Sequence, residues 1–328
     1  MFCPKCGKEN ADGAGFCGSC GASLKKDVTA TPVAASPTAT AQKSAKKSGR
    51  LIGIVAAVVV VIVVIAGIAT NGFGLLGVPV RDSVNDYSWE ELSKISEEIS
   101  EAPSPEGAIE VACKYNLTKP DGRLDGTQAK DVQLSNGMTT QVQIAGFAHD
   151  DKTSGGKAGI TFIFKDAIAD RPMNSTNTNV GGWENSQMRS WLATDGMNLL
   201  PSELRSKIVA VNKMSNNAGD SSSVASVTAP SDKLWLFSTK ELCGHLLYYN
   251  NTDVHDAQGS EYKLFQDYVV RSRSDNSILV KTYNGRSCNW WERTLSGEHC
   301  FWAVHGAGNP DNRYDASHTH GVVPGFCI

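Results

Sequence analysis

The sequence predicts a multidomain chain of three unlike parts: a small cysteine module, one transmembrane helix and a loop-rich α+β domain. Three observations predict it. Four cysteines fall in two C-x2-C pairs within the first twenty residues, residues 51–70 carry no charge, and beyond about residue 128 short strand and helix signals alternate irregularly between long loops. Such irregular mixing indicates α+β and not a parallel α/β sheet.

The cysteine module occupies residues 1–24. Cys3, Cys6, Cys17 and Cys20 read C-x2-C-x10-C-x2-C, and a glycine, Gly7 or Gly21, follows each pair. Each C-x2-C turn offers two sulfurs to one ion, and the following glycine can take positive φ and turn its amides toward sulfur. Four thiolates with no open position describe a structural zinc site holding one ion. A redox C-x2-C pair would need a βαβ context that two dozen residues cannot supply. So short a segment lacks a sufficient apolar core, and metal binding is expected to drive its folding. Residues Met1 to about Leu24 resemble the short zinc-ribbon domains found at the N-termini of many bacterial membrane proteins.

Residues 25–50 are Ala, Thr, Ser, Pro and Lys without apolar periodicity, which reads as a disordered basic linker. Its charges are scattered and no aromatics interleave with them, so nucleic acid is not an expected partner. Residues 51–70 then hold thirteen Leu, Ile or Val. As a helix rising 1.5 Å per residue this run would reach about 30 Å, the hydrocarbon thickness of a lipid bilayer. Lys43, Lys46, Lys47 and Arg50 precede it, whereas only Arg81 among cations lies in the twenty residues that follow. The positive-inside rule therefore predicts a single-pass plasma-membrane protein, N-terminus cytoplasmic and C-terminus extracellular. The halves differ in charge: residues 1–50 hold eight Lys/Arg against three Asp/Glu, or +5, and the rest twenty-three against thirty-one, or −8, for the overall −3.

Residues 71–127 are expected to form a stalk with two helices. Ser88 and Glu91 make a capping box for a helix to about Ala102 with Trp89, Leu92, Ile95 and Ile99 on one face, and Ser104-Pro105 starts a second through Tyr115. The α+β domain, 128–328, opens with runs Val132–Leu134 and Met138–Ile144 around Ser135-Asn136-Gly137, a strong hairpin signal. Further strands are predicted at Ile160–Phe164, Ile208–Val211, Leu234–Phe237, Ile278–Val280, Phe301–His305 and Val322–Ile328. Short helices are predicted at Asn185–Leu192, Pro201–Ile208 and Ser238–Cys243, the last with a Ser238/Glu241 capping box.

Three stretches, Gly181–Leu192, Leu200–Leu204 and Asp232–Ser238, together with Trp290-Trp291-Glu292-Arg293 and Gly321–Phe326, resemble an uncharacterised extracytoplasmic domain of bacterial surface proteins over about 128–328. The layout is similar by analogy to C-type-lectin-like and formylglycine-generating-enzyme-like folds. Members of the resembled family commonly read Trp-Leu-Arg-Ser-Pro and Gly-Val-Arg-Pro; this chain has Trp291-Glu292-Arg293-Thr294-Leu295 and Gly321-Val322-Val323-Pro324, so one arginine of the usual pair is absent. If that pair frames a ligand, the site is altered here; if it is an ion network, Glu292 is the substitute partner.

Candidate ligand-binding residues are Trp291, Arg293, Asn309, Asp311, Asn312 and Arg313. His299, His305, His318 and His320 lack helical i, i+4 spacing and read as surface residues, not a second metal site. Cys113, Cys243, Cys288, Cys300 and Cys327 are odd in number, so at least one is unpaired within the chain; a Cys288–Cys300 bridge and five free thiols both remain open. No Ser/His/Asp order, phosphate-cradling glycine loop or dinucleotide fingerprint occurs. The expected function is ligand binding or adhesion toward a cell-surface carbohydrate or protein. The alternatives are a modifying enzyme on a formylglycine-generating-enzyme-like scaffold, or a regulator whose ribbon docks a cytoplasmic protein.

Overall fold

The computed structural model describes Ala11 and residues 77–218, 223–244 and 252–328. The chain divides into two units, Met1–Phe73 and Gly74–Ile328, and the architecture below is that of the second. Its first helix, α1 (Trp89–Ser100), starts at the predicted capping box: Ser88 Oγ accepts from the Glu91 amide and the Glu91 carboxylate accepts from the Ser88 amide at 2.7 Å. Trp89, Leu92, Ile95 and Ile99 are buried together. Their burial is worth at most about 6–12 kcal/mol against an extended chain. Helix α2 (Pro105–Lys114), capped by Ser104, adds Ala108 and Ala112 to the same core.

Ten strands form two five-stranded sheets. The first sheet contains β1 (Ala129–Gln133), β2 (Thr139–Phe147) and β3 (Ile160–Phe164). The predicted hairpin joins β1 to β2 with Gln133 opposite Thr139, and Gly137 in the turn takes φ +86°. The second sheet begins with β4 (Ala169–Arg171). Later come β5 (Trp235–Leu236), β6 (Trp290–Ser296), β7 (Cys300–Val304), β8 (Asn312–Asp315), β9 (His320–Val322) and β10 (Pro324–Cys327). The orders are β1-β2-β3-β10-β5 and β8-β7-β6-β9-β4, antiparallel except for the parallel pair β6–β9. The run predicted as one strand, Val322–Ile328, is therefore two strands in different sheets. Pro324 opens the second of them, since its lack of an N–H suits a strand's first residue.

Helix α1 rests on the first sheet through Trp89, whose ring meets Phe162 edge-on at 5.8 Å. The Ser96 hydroxyl donates to the Ile328 carbonyl. A Cβ at Gly159 would lie 1.9 Å from the Ser96 carbonyl oxygen, so only glycine lets helix and strand approach this closely. The two helices expected at 71–127 thus share the core of the sheets.

Two expectations are corrected. The described residues of the second unit form a β-rich domain, two five-stranded sheets with short two-stranded ladders and short helices, in place of the predicted α+β extracytoplasmic domain. Among the described residues no helix is long and apolar enough to cross a membrane. α1 has twelve residues, roughly 18 Å at 1.5 Å each, against a bilayer core of about 30 Å, and one of its faces is polar. The assignment to the plasma membrane, and the division between cytoplasmic and extracellular ends drawn from it, accordingly has no support in the structure. The run at 51–70, the linker at 25–50 and the cysteine module lie outside the described residues.

Local differences have physical causes. Ile278–Val280, predicted as a strand, falls on a 3-10 turn, Ser277–Leu279, in which Leu279 is fully buried without a strand partner. The predicted helix at Asn185–Leu192 is α3 (Gln187–Trp191), which widens into a π turn at Leu192–Gly196. The helix at Pro201–Ile208 shortens to α4 (Ser202–Arg205), and that at Ser238–Cys243 is α5 (Thr239–Cys243) with both halves of its capping box formed.

Candidate functional site

Two groups of charged side chains stand out, one sealed and one open. The sealed group centres on Arg293. Strand β6 pairs regularly with β7 at Trp290 and Trp291 and again at Leu295, but its register shifts between them. In this irregular stretch the Arg293 amide donates to the Phe237 carbonyl at 3.0 Å, and the side chain is turned inward. Bulges commonly serve to re-aim a side chain.

The Arg293 guanidinium is fully buried and donates to both carboxylate oxygens of Glu241, at 2.5 and 2.9 Å. It also donates to Ser215 Oγ and to the carbonyls of Leu236, Met214 and Gln258. Lys213, equally buried, bridges Glu241 at 2.6 Å and Asp150 at 2.8 Å and lies 4.6 Å from the Trp235 ring centre. Two cations and two carboxylates close a neutral network. Tyr262 Oη, 2.9 Å from Lys213 Nζ, donates to Asp150.

Burial alone would raise the carboxyls of Asp150 and Glu241. For Asp150, Lys213 and His149 reverse the sign, and for Glu241, Arg293 and Lys213 do; both carboxyls are held below the usual carboxylate range. Burial and then the charge of Asp150 push the Tyr262 hydroxyl and the Cys327 thiol far up, so both stay protonated. Glu292 differs. It is fully buried, accepts only from the Thr239 hydroxyl, and leaves Oε1 without a partner. Burial raises its carboxyl well above the ordinary value, with only partial relief from Thr239. Arg293 is thus paired by Glu241 and not by its neighbour Glu292, and Val323, at the place of the missing arginine, is buried.

The open group lines a cleft of about 670 Å³, within the range of small-molecule sites. One wall is α3 with its π turn, a form of helix frequent at functional sites; the other carries Ser231 and Asp232, which pair with Val211 and Asn212. Ser186 caps α3 by accepting from the Arg189 amide. Arg189 then donates through Nε to Asp232 Oδ1 at 2.6 Å and to the carbonyls of Glu184 and Ser231. Trp183 Nε1 donates to the other oxygen of Asp232 at 2.8 Å. Arg205 and Lys233 complete the charged lining, over an apolar floor from Met197 and Leu234.

The candidates read from sequence are scattered by comparison. Trp291 is buried, donates to the Arg171 carbonyl at 2.8 Å, and lies against His320 and Tyr314 at 4.7 and 6.5 Å between ring centres. Asn309 Oδ1 accepts from the Asp311 amide, Asn312 donates to the Asn309 carbonyl, and Asp311 pairs with Arg273 at 3.0 Å. Arg313 is exposed on β8. Among the described residues no hydrogen bond or ion pair joins Arg293 to this turn. No disulfide joins Cys113, Cys243, Cys288, Cys300 or Cys327 among the described residues, and no group of three or more His, Cys, Asp or Glu among the described residues could hold a metal.

Residues 158–328, over half of the chain, match the family model of the domain of unknown function DUF6273. The chain belongs to this family. Residues 2–24 match the zinc-ribbon domain, which supports zinc binding there, although Cys3, Cys6, Cys17 and Cys20 lie outside the described residues. No curated protein and no solved structure matches the chain, so the likeness to C-type-lectin-like and formylglycine-generating-enzyme-like folds remains an analogy. The DUF6273 region contains the whole cleft and, of the sealed network, Lys213, Glu241, Tyr262 and Arg293; Asp150 precedes it. The cleft residues Arg189, Ser190, Asp232, Lys233 and Leu234 fall in stretches that carry the resemblance to the extracytoplasmic domain. That coincidence was the signal by which sequence alone could have found them.

Proposed function

We propose that this chain is a binding protein and not an enzyme: its DUF6273 domain recognises a small molecule in the Arg189–Lys233 cleft, and its ribbon docks a partner protein. One structural zinc held by Cys3, Cys6, Cys17 and Cys20 would fold the ribbon, since four thiolates leave no position open for catalysis. The observation that carries the reading is the separation of the two charged groups. The acids of the sealed region whose protonation is strongly shifted, Asp150, Tyr262, Glu292 and Cys327, are buried and none lines this cleft, whereas the cleft presents two cations, Arg205 and Lys233, without a carboxylate partner among the described residues. Catalysis needs its shifted groups within reach of substrate.

Two measurements on the purified full chain test this. Zinc content should be one ion per chain and be lost on Cys17→Ser; retention of metal by that variant would remove the ribbon's ligand assignment. A panel of small metabolites, charged and neutral, should include compounds that raise the Tm of the parent and leave the Arg205→Ala/Lys233→Ala variant unmoved. If every stabilising compound acts equally on both proteins, the cleft is not the site.

A further inference from the structure

The chemistry of the cleft's free donors narrows its ligand, provided the cleft is the binding site as proposed above. We propose that it takes a small molecule bearing an oxyanion, a carboxylate or a phosphate, seated between Arg205 and Lys233. The cleft holds three cations and one carboxylate, and that carboxylate is already committed: Asp232 accepts from Arg189 on one oxygen and from Trp183 on the other. Arg189 is spent in turn, with Nε, NH1 and NH2 all donating to protein groups. Arg205 and Lys233 are not. Arg205 uses only NH1, on Asn198 Oδ1 at 2.9 Å, and neither residue has an ion-pair partner among the described residues. The cleft therefore carries a formal excess of two positive charges.

Other cations without an ion-pair partner, such as Arg286 and Arg313, occur among the described residues, whereas here two of them share one concavity. Near the cleft and elsewhere several cations are matched. Lys207, two residues from Arg205, pairs with Glu90; Arg81, Lys114 and Lys157 pair with Glu91, Glu98 and Asp151. The chain after residue 50 is net negative, so a cleft with two cations in excess runs against the overall charge of its domain. A guanidinium with free Nε and NH2 is a fork suited to two oxygens of one anion, and an ammonium supplies a point charge beside it. Asn198, whose Oδ1 accepts from Arg205, keeps its amide N–H groups as further donors on the same wall. The floor of Met197 and Leu234 then suits a short apolar portion of the ligand, and the cleft volume fits a metabolite and not an extended polymer.

Isothermal titration of the full chain with inorganic phosphate and, separately, with citrate at low salt tests the assignment. At least one should bind, with affinity falling as sodium chloride is added. Lys233→Gln and Arg205→Ala should each weaken that anion about tenfold or more, the loss of one charge-assisted hydrogen bond. A preference for phosphate identifies a phosphoryl ligand, and a preference for citrate a carboxylate one. Urea midpoints equal to the parent's show that the variants are folded. Failure of both anions to bind, or binding that neither substitution weakens, overturns the proposal. If neutral compounds from the metabolite panel bind in the cleft while both anions fail, the binding function survives and only the oxyanion assignment falls.

Discussion

The sealed network and the open cleft use the same side-chain types to opposite ends. Around Arg293, each charge is fully buried, and two cations meet two carboxylates at 2.5–2.9 Å. In the cleft, one ion pair is complete and two cations are left over. Charge taken out of water must be matched inside the protein, because an unpaired buried ion costs several kcal/mol. Charge at an open cleft is hydrated and can wait for a ligand. The contrast teaches that depth and pairing, not residue type, separate a structural arginine from a binding one.

The largest effect is expected on the sealed side. Glu241→Ala leaves Arg293 and Lys213 without their shared carboxylate and should destabilise the domain by about 3–5 kcal/mol in urea unfolding. A loss below about 1 kcal/mol would mean that the network is hydrated and the comparison is false. Asp232→Asn sits between the regions: it removes the charge that holds Arg189 but retains an acceptor for Trp183. A cost of about 1.5–3 kcal/mol is expected, from one hydrogen bond to a charged group.

Glu292 sharpens the comparison through pH. Its folded carboxyl titrates above the ordinary value of 4.5, so folding favours the protonated form. Below about pH 4.5 both states are protonated and that stabilisation is complete; as pH rises through the folded value it is lost, by up to about 1.4 kcal/mol per pH unit. Glu292→Gln cannot ionise. The stability of the parent relative to this variant should therefore fall as pH rises, and parallel pH profiles would place Glu292 in contact with water. The smallest effect belongs to the cleft: Arg205→Ala and Lys233→Ala should each change unfolding free energy by no more than about 0.5 kcal/mol. A larger loss would make these cations structural and erase the distinction.

Local patterns were the most legible part of the fold. Ser88 with Glu91 and Ser238 with Glu241 announced two helix starts, Asn136-Gly137 announced the first turn, and Ile160–Phe164 is a strand at the predicted residues. Long-range pairing was not legible. Nothing in Val322–Ile328 read alone shows that it belongs to two sheets, because the partners β3 and β4 lie some 150 residues upstream. For the site, the family resemblance at Trp290–Arg293 drew attention to an arginine that the shifted register of β6 carries into the core. The cleft cations were overlooked for a related reason. Arg189, Arg205 and Lys233 look ordinary in sequence, and only the fold shows that Asp232 serves the first and leaves the other two unmatched.

Strands β9 and β10 are interior strands, one in each sheet, and a ribosome delivers them after every other strand they join. Until residues 320–327 emerge, β4 and β5 have no neighbour to hold them against their sheets. Both sheets are therefore completed by strands made after their partners, through pairings of long sequence separation, the kind of contact that slows folding.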